Sequence, residues 1–287
     1  MRDDPSDRAT EFLSSARRAF RASAGSVALD RLGWWELLSD LDDPVVRQAA
    51  FVAFRAHGRE LATSGALGGL LAQPYLEAIG ADVGTISATI SRGSARRGEV
   101  TLLAGEPVAG QLLIDRPGHG VALVALGTVE LRPVLVAGRL PLHEVDVHPD
   151  RLTAVIPERD AEPLRARSQF LGRIASSLEM LGAAEGALAL ALAHAVDREQ
   201  FGQPIGTFQA VRHLLAWAKT ECEAVSAVAD EAVALDRAAP PRFDAVVKGL
   251  AGRNTRRVCE RALQVLGAIG FTSEHDHHHF HLSLIHI

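Results

Sequence analysis

Cysteine is scarce in this chain: two residues, Cys222 and Cys259, among 287. Both fall inside helical patterns. They read as small core residues of a reducing, cytoplasmic compartment, which excludes a disulfide framework. The opening MRDDPSDRATEF lacks the apolar stretch of a signal peptide. No run approaches ~18 apolar residues free of charge and glycine, so no membrane span is expected. Positive charge is not in excess either. Thirty Lys and Arg stand against 35 Asp and Glu, a formal net charge of −5, which leaves nucleic acid without an electrostatic handle.

Apolar residues are plentiful. At 47% hydrophobic and 23% charged, the composition supports a sizeable core and argues against extensive disorder. The length admits one large domain or two to three small ones.

Patterning divides the chain into three, a multidomain α+β protein. Residues 1–80 read as a helical N-terminal domain. Phe12, Leu13, Ala16, Ala19 and Phe20 lie at helical spacing in a surface helix or frayed leader, and residues 27–40 form a short packed helix around Trp34 and Trp35. Residues 44–62 form a clearer helix, with Pro44 in its first turn and Val45, Ala49, Val52, Ala53, Ala56 and Leu61 on one side. SGALGGLLAQPYLEAIG reads as a close helix pair. Residues 81–160 change character. Short β-rich runs at 82–90, 99–104, 107–114, 120–126, 128–137 and 142–147 are punctuated by Gly93, Gly98, Gly105, Gly118, Gly127 and Gly138 and by Pro107, Pro117, Pro133 and Pro141. The spacing leaves no room for crossover helices and predicts a small antiparallel sheet or barrel. Residues 161–287 are helical again. Long helices are expected over 163–197 (stripe Leu171, Ile174, Ala175, Leu178, Leu181, Ala184, Leu188, Leu192), from an N-cap at Thr207 to Arg237, and over 242–266, forming an antiparallel bundle.

Between the first two long helices lies Arg198-Glu-Gln-Phe-Gly-Gln-Pro-Ile-Gly206. A guanidinium and a glycine-rich backbone here can meet a phosphate or pyrophosphate, and Gln209 lies one turn into the next helix, where an anion is also favoured. The plainer reading is a capped turn with a surface arginine. Gln264 to Phe271, QVLGAIGF, permits close backbone approach, or simply a glycine C-cap. Glu274-His-Asp-His-His-His-Phe-His281 invites zinc, yet its imidazoles are too dense for a defined site. Adventitious metal affinity is expected, and no structural or catalytic metal. Glu179, Glu185 and Glu221 lie on the long helices. Glu185 sits nearest the apolar stripe, where burial would make it a general base, though such residues more often pair with arginine.

REQFGQPIGTFQA (198–210) closely resembles the signature of the acyl-CoA dehydrogenases, flavoproteins that oxidise acyl-CoA thioesters between Cα and Cβ. QVLGAIGF resembles the family's second signature, in the right order and at about the right separation. The resemblance is clear over residues 165–281, weaker over 30–80 and faint over the β-rich middle. It implies FAD as cofactor. Arg198, Gln200, Phe201 and Gln209 would lie on the flavin nucleotide, with Gln264 and Gly267 as a second pyrophosphate-contacting group reaching across a dimer interface. The implied partners are an acyl-CoA thioester, a homologous subunit in a homodimer or heterotetramer, and an electron-acceptor flavoprotein.

Four departures accompany the resemblance. Ala268 replaces the family's second glycine, and the β-domain motif that covers the flavin is not recognisable in a shortened domain. The family's base is a glutamate. One of its placements lies beyond residue 287 and the other falls on Gly172, beside Arg173, so the catalytic residue stays unassigned, with Glu185, Glu274 and Asp276 as weak candidates. GFTSEHD resembles a subgroup seen in actinobacterial enzymes, some built from two kinds of subunit and acting in lipid or steroid degradation, where one kind can lack a working base. Where the family continues with a basic helix, this chain has HLSLIHI. An apolar bundle face is therefore expected to need a partner or to lower stability.

Overall fold

The structure is a computed structural model that describes residues 5–23, 25–81, 83, 86–91, 101–104, 110–116, 118–134, 142–146, 152 and 154–286. Five helices open it: α1 (Pro5–Ala22), α2 (Gly25–Arg31), α3 (Trp34–Ser39), α4 (Pro44–Arg59) and α5 (Ala66–Ile79). The first is no frayed leader, because Ala16 and Phe20 are buried and Phe20 meets His57 of α4 edge-on at 5.1 Å. The helix expected over 27–40 is broken in two by Gly33, whose φ of 61° is left-handed. Asp43 caps α4 through the N–H groups of Val45 and Val46, and Pro44 occupies the first turn, where its missing N–H is harmless. Val45 leaves the expected apolar side, at 65% exposure, and Leu61 lies past the helix end with φ 48°. The glycine-rich segment is one helix, α5, and not a pair. A Cβ on its Gly69 would stand 2.8 Å from the Trp35 ring, so glycine lets α3 approach.

A seven-stranded sheet follows, in the order β5-β6-β2-β1-β3-β4-β7. Its strands are β1 (Ile86–Ser91), β2 (Thr101–Ala104), β3 (Gln111–Arg116), β4 (Gly120–Ala125), β5 (Glu130–Pro133), β6 (Leu142–Asp146) and β7 (Ala154–Ile156). Pairing is antiparallel except between β1 and β3. That parallel pair needs no crossover helix, since β2 occupies one edge of β1 and the chain returns along the other. The continuous apolar run in β3 is explained by cover on both faces. Leu112 and Ile114 join Val124 and Val145 in a small sheet core, while Leu113 joins the main core with Val121 and Ile156. The punctuation expected at Gly93, Gly98, Gly105, Pro107, Pro117, Gly138 and Pro141, and parts of the expected β runs, lie outside the described residues.

The bundle consists of α6 (Glu158–Asp197), α7 (Gln209–Leu235), α8 (Phe243–Leu266) and α9 (His277–His286). At ~1.5 Å per residue α6 is about 60 Å long, and it starts at Glu158, ahead of the expected 163. It is long and apolar enough to cross a bilayer, but 78% of its most apolar window is buried inside the fold. Leu192 departs from its expected buried stripe, at 46% exposure. Thr207 does not cap α7. Phe208 holds the N-cap position, and the Thr207 hydroxyl donates to the Pro204 carbonyl at 2.7 Å. Arg173 of α6 pairs with Asp244 near the start of α8, and Ala195 clusters with Val265 near the ends of both helices. These two helices therefore run in parallel, with α7 antiparallel between their ends. One hydrophobic core runs from α1 to α8, so the opening helices and the bundle are packed as one body.

Candidate functional site

Helix α6 ends as Arg198 turns extended (φ −79°, ψ 117°), its N–H still donating to the His194 carbonyl. Two short strands, β8 (Glu199–Gln200) and β9 (Gln203–Pro204), then form a hairpin. Its two-residue turn is Phe201-Gly202, with φ of 55° and 79°. Positive φ at both central positions matches the right-handed twist of the flanking strands. Glycine adopts that conformation freely. Phenylalanine is strained there, and such strain gathers at functional sites. The hairpin is fastened at its base, where the Ile205 N–H donates to the Arg198 carbonyl at 2.8 Å. Gly206 is required by contact, since a Cβ would lie 2.8 Å from the Ala195 carbonyl oxygen.

The second motif arrives at the same end of the bundle. Ile205 and Val211 pack against the cluster of Ala195, Ala262 and Val265. Gly267 closes α8 with φ 65°, its N–H donating to the Leu263 carbonyl. Ala268 is absent from the left-handed residues, so a Cβ there imposes no backbone strain. Arg198, Gln200, Phe201, Gln209 and Gln264 are exposed and Gly267 is half-buried. Phe201 is 93% exposed, touched edge-on by Phe208 at 6.0 Å. Among the described residues the Arg198 side chain has no hydrogen bond or ion pair. An unpaired guanidinium beside a left-handed hairpin turn, near a left-handed glycine cap, fits the pyrophosphate of a dinucleotide.

Other features of this end were not read from the sequence. Leu192, Val196, Ile269 and Phe271 are 46%, 68%, 45% and 76% exposed, and Trp217, two turns into α7, is 59% exposed. Arg261 lies over the Trp217 ring at 5.8 Å and His213 stacks on it at 6.4 Å. Glu221 ties Arg261 and Arg257 to α7. For Val196 and Trp217 the available signal was an apolar residue off the expected buried stripe, whereas Leu192 lay on it.

Of the carboxylates weighed as bases, Glu185 and Glu179 are engaged elsewhere. Both Glu185 oxygens accept from the Arg55 guanidinium, across the α4–α6 contact. Glu179 is buried, its Oε1 2.9 Å from His57 Nδ1, while His57 Nε2 lies 3.0 Å from the Ser64 hydroxyl. Glu274 and Asp276 are exposed. Gly172 faces α5, where a Cβ would come within 2.7 Å of Leu71. The neighbouring Ser168 hydroxyl donates to the Leu71 carbonyl at 2.9 Å. Of the tail histidines, His277 is buried with Nε2 3.1 Å from the Cys259 carbonyl.

These features have counterparts in known proteins. The chain is similar over nearly its whole length to the steroid acyl-CoA dehydrogenase Tcur3481-Tcur3483 G363A variant, with TM-score 0.70, 21% identity, 98% of this chain and 92% of that one. Butyryl-CoA dehydrogenase from Megasphaera elsdenii gives TM-score 0.72 at 17% identity, covering 99% of this chain and 94% of that one. At these identities the likeness establishes the fold: a helical N-terminal part, a small β-sheet part and a C-terminal helical bundle. Residues 168–284 match the family "Acyl-CoA dehydrogenase, C-terminal domain". Acyl-CoA dehydrogenase IpdE2 of Mycolicibacterium smegmatis is 34% identical over 129 residues, 44% of this chain and 40% of that protein. The 3-sulfinopropanoyl-CoA desulfinase of Paraburkholderia xenovorans is 30% identical over 179 residues, 59% of this chain and 42% of that one. The chain thus spans about two-fifths of the length of these relatives. Over residues 168–284 it is similar to the C-terminal domain of the acyl-CoA dehydrogenases, a family whose defining cofactor is FAD.

Proposed function

We propose that this chain is a subunit of an FAD-dependent acyl-CoA dehydrogenase, and that it presents its hairpin to a flavin held at an interface between subunits. The carrying observation is the bundle end just described. An unpaired Arg198, a strained and exposed Phe201, and the exposed Leu192, Val196, Trp217, Ile269 and Phe271 occur together there. Exposed aromatic and aliphatic side chains grouped around a cation are the composition of an interface core. Arg198, with Gln264 and Gly267, would hold the pyrophosphate. Gln200, Phe201 and Gln209 would line the nucleotide. The bound flavin supplies hydride acceptance in α,β-dehydrogenation of an acyl-CoA thioester.

A second reading is favoured by the engaged carboxylates. Glu185 and Glu179 are tied to Arg55 and His57, and Gly172 meets Leu71. On that reading the chain is a noncatalytic subunit completing a partner's FAD site, and the Cα proton goes to a base on the partner. The family resemblance of GFTSEHD supports a heterotetramer, lipid or steroid substrates and an electron-acceptor flavoprotein as the oxidant of the reduced flavin. The test is a visible absorption spectrum of the purified chain, alone and co-expressed with a homologous subunit, with anaerobic addition of an acyl-CoA panel. Bleaching by the chain alone assigns it a complete site. Bleaching only with the partner assigns the composite one, and absence of flavin in both preparations rejects the proposal.

A further inference from the structure

A cavity of about 360 Å³ opens between α1, α4, α6 and the start of α9. Its size is at the lower end of the ~300–1,000 Å³ typical of small-molecule sites. Three arginines line it: Arg17 and Arg21 from α1 and Arg59 from the last turn of α4. Two of them are already matched. Arg17 Nε and Arg21 Nε donate to opposite oxygens of Glu60, each at 2.6 Å. Arg59 is different. Among the described residues it has no hydrogen bond and no ion pair within 4.0 Å. Burial lowers its pKa, and Arg17 and Arg21 add to that effect. Glu185 is the stronger of two acidic influences on it and is occupied by Arg55, while the other, Glu60, is held by Arg17 and Arg21. A partly desolvated guanidinium without a counter-ion is costly, and an incoming anion relieves that cost.

The permanent charges set the valence. Arg17, Arg21 and Arg59 face two carboxylates in the lining, Glu60 and Asp276, a balance of three against two; His279 also lines the space. One positive charge remains, which suits a monoanion better than a phosphate dianion. The rest of the wall is apolar, with Leu190 from α6 and Phe280 from α9. The Phe280 ring is seated on Gly186, where a Cβ would come within 2.1 Å of it. We propose that this cavity binds a small organic carboxylate, its head on the Arg59 fork and a short apolar body against Leu190 and Phe280. The site stands apart from the flavin reading and does not depend on it.

The test is calorimetric titration of the full chain with hexanoate, its neutral isostere hexanamide, and inorganic phosphate. Hexanoate is expected to bind at millimolar concentration and hexanamide not to. Loss of a charge-assisted pair makes Arg59→Gln at least ~tenfold weaker, while Arg59→Lys retains part of the affinity. Should Arg59→Gln fail to fold, Leu190→Trp fills the cavity without touching a charge and is expected to abolish the hexanoate heat. The proposal is overturned if hexanoate gives no heat, if phosphate binds as tightly as hexanoate, if Arg59→Gln binds hexanoate unchanged, or if folded Leu190→Trp still binds it.

Discussion

Phe201 is an expensive residue for an isolated subunit. It holds a left-handed backbone conformation, and 93% of its surface faces water. Replacement by glycine relieves a backbone cost of about 1–2 kcal/mol, part of it returned as unfolded-state entropy. Phe201→Gly is therefore expected to leave the melting temperature of the dissociated chain unchanged or higher, yet to weaken flavin retention in the assembled protein. A lower melting temperature together with normal flavin content would show that the ring serves packing within the chain. The cysteines give a second prediction. Burial pushes both thiols up to about 12, so neither is expected to react with a disulfide reagent at pH 8 until the chain unfolds. Rapid labelling of the native protein would contradict this core placement. At this scale the sequence was informative about residue type and less so about surroundings. The glycine cap at Gly267 was legible because its backbone freedom is in the residue itself. The attachment of Glu185 to Arg55, 130 positions away, could not be seen locally.

Among the described glycines, the tightest approaches to a neighbouring backbone are between α4 and α6. A Cβ on Gly58 would lie 1.9 Å from the Glu179 carbonyl oxygen, and one on Gly182 would lie 2.0 Å from that of Arg55. The obstacle is backbone on both sides, so no rotamer change clears it. Gly182→Ala is expected to destabilise the chain by about 1–3 kcal/mol, read from urea melts, while Gly249→Ala, with nothing within 4 Å of the added methyl, serves as a control with little loss. If both variants melt alike, the close approach is not made in solution. A second joint ties the sheet to α6. The Arg165 guanidinium takes Asp115 at 2.8 Å and Glu158 at 2.6 Å, and the Tyr75 hydroxyl donates to Asp115 at 3.1 Å. The two acids respond oppositely to pH. Arg165, with the N–H groups of Gly118 and Gly120, lowers Glu158 from the ordinary 4.5 to about 2. That stabilisation is complete above pH 4.5 and disappears as pH falls towards 2. Burial raises Asp115 despite Arg165, so its contribution is largest when protonated and diminishes as pH rises. Glu158→Gln is thus expected to flatten the loss of stability between pH 4.5 and 2, and an unchanged acid limb would place Glu158 outside the joint. Helix existence was legible from apolar periodicity. The glycine that splits residues 27–40 and the parallel β1–β3 pair were not, because both depend on backbone geometry that composition leaves open.

For the molecule as a whole, the order of helices, sheet and bundle was readable because length, periodicity and punctuation change together near residues 80 and 160. The exposed end of the bundle was harder, since an apolar residue off the buried stripe looks like noise until the fold brings several together. Among the described residues, six of the ten large hydrophobics with high exposure, Leu192, Val196, Phe201, Trp217, Ile269 and Phe271, belong to the end that carries both motifs. Scattered apolar exposure is ordinary for a monomer, whereas grouping marks a contact surface. The chain is expected to elute as a dimer or larger, alone or with a homologous subunit, and Trp217→Lys is expected to shift it towards monomer by placing a charge in this exposed apolar surface. Arg198→Ala addresses the other half of the surface. It removes one exposed guanidinium and no contact within the chain, so assembly should persist while FAD affinity falls by about tenfold or more. The pair of variants separates two ideas that a single loss of activity would confuse. If Trp217→Lys dissociates the protein and takes the flavin with it while Arg198→Ala loses flavin from an intact assembly, the cofactor site is shared between subunits. If Trp217→Lys yields a monomer that keeps its flavin, the hairpin serves its own chain and the exposed end is a contact for something else.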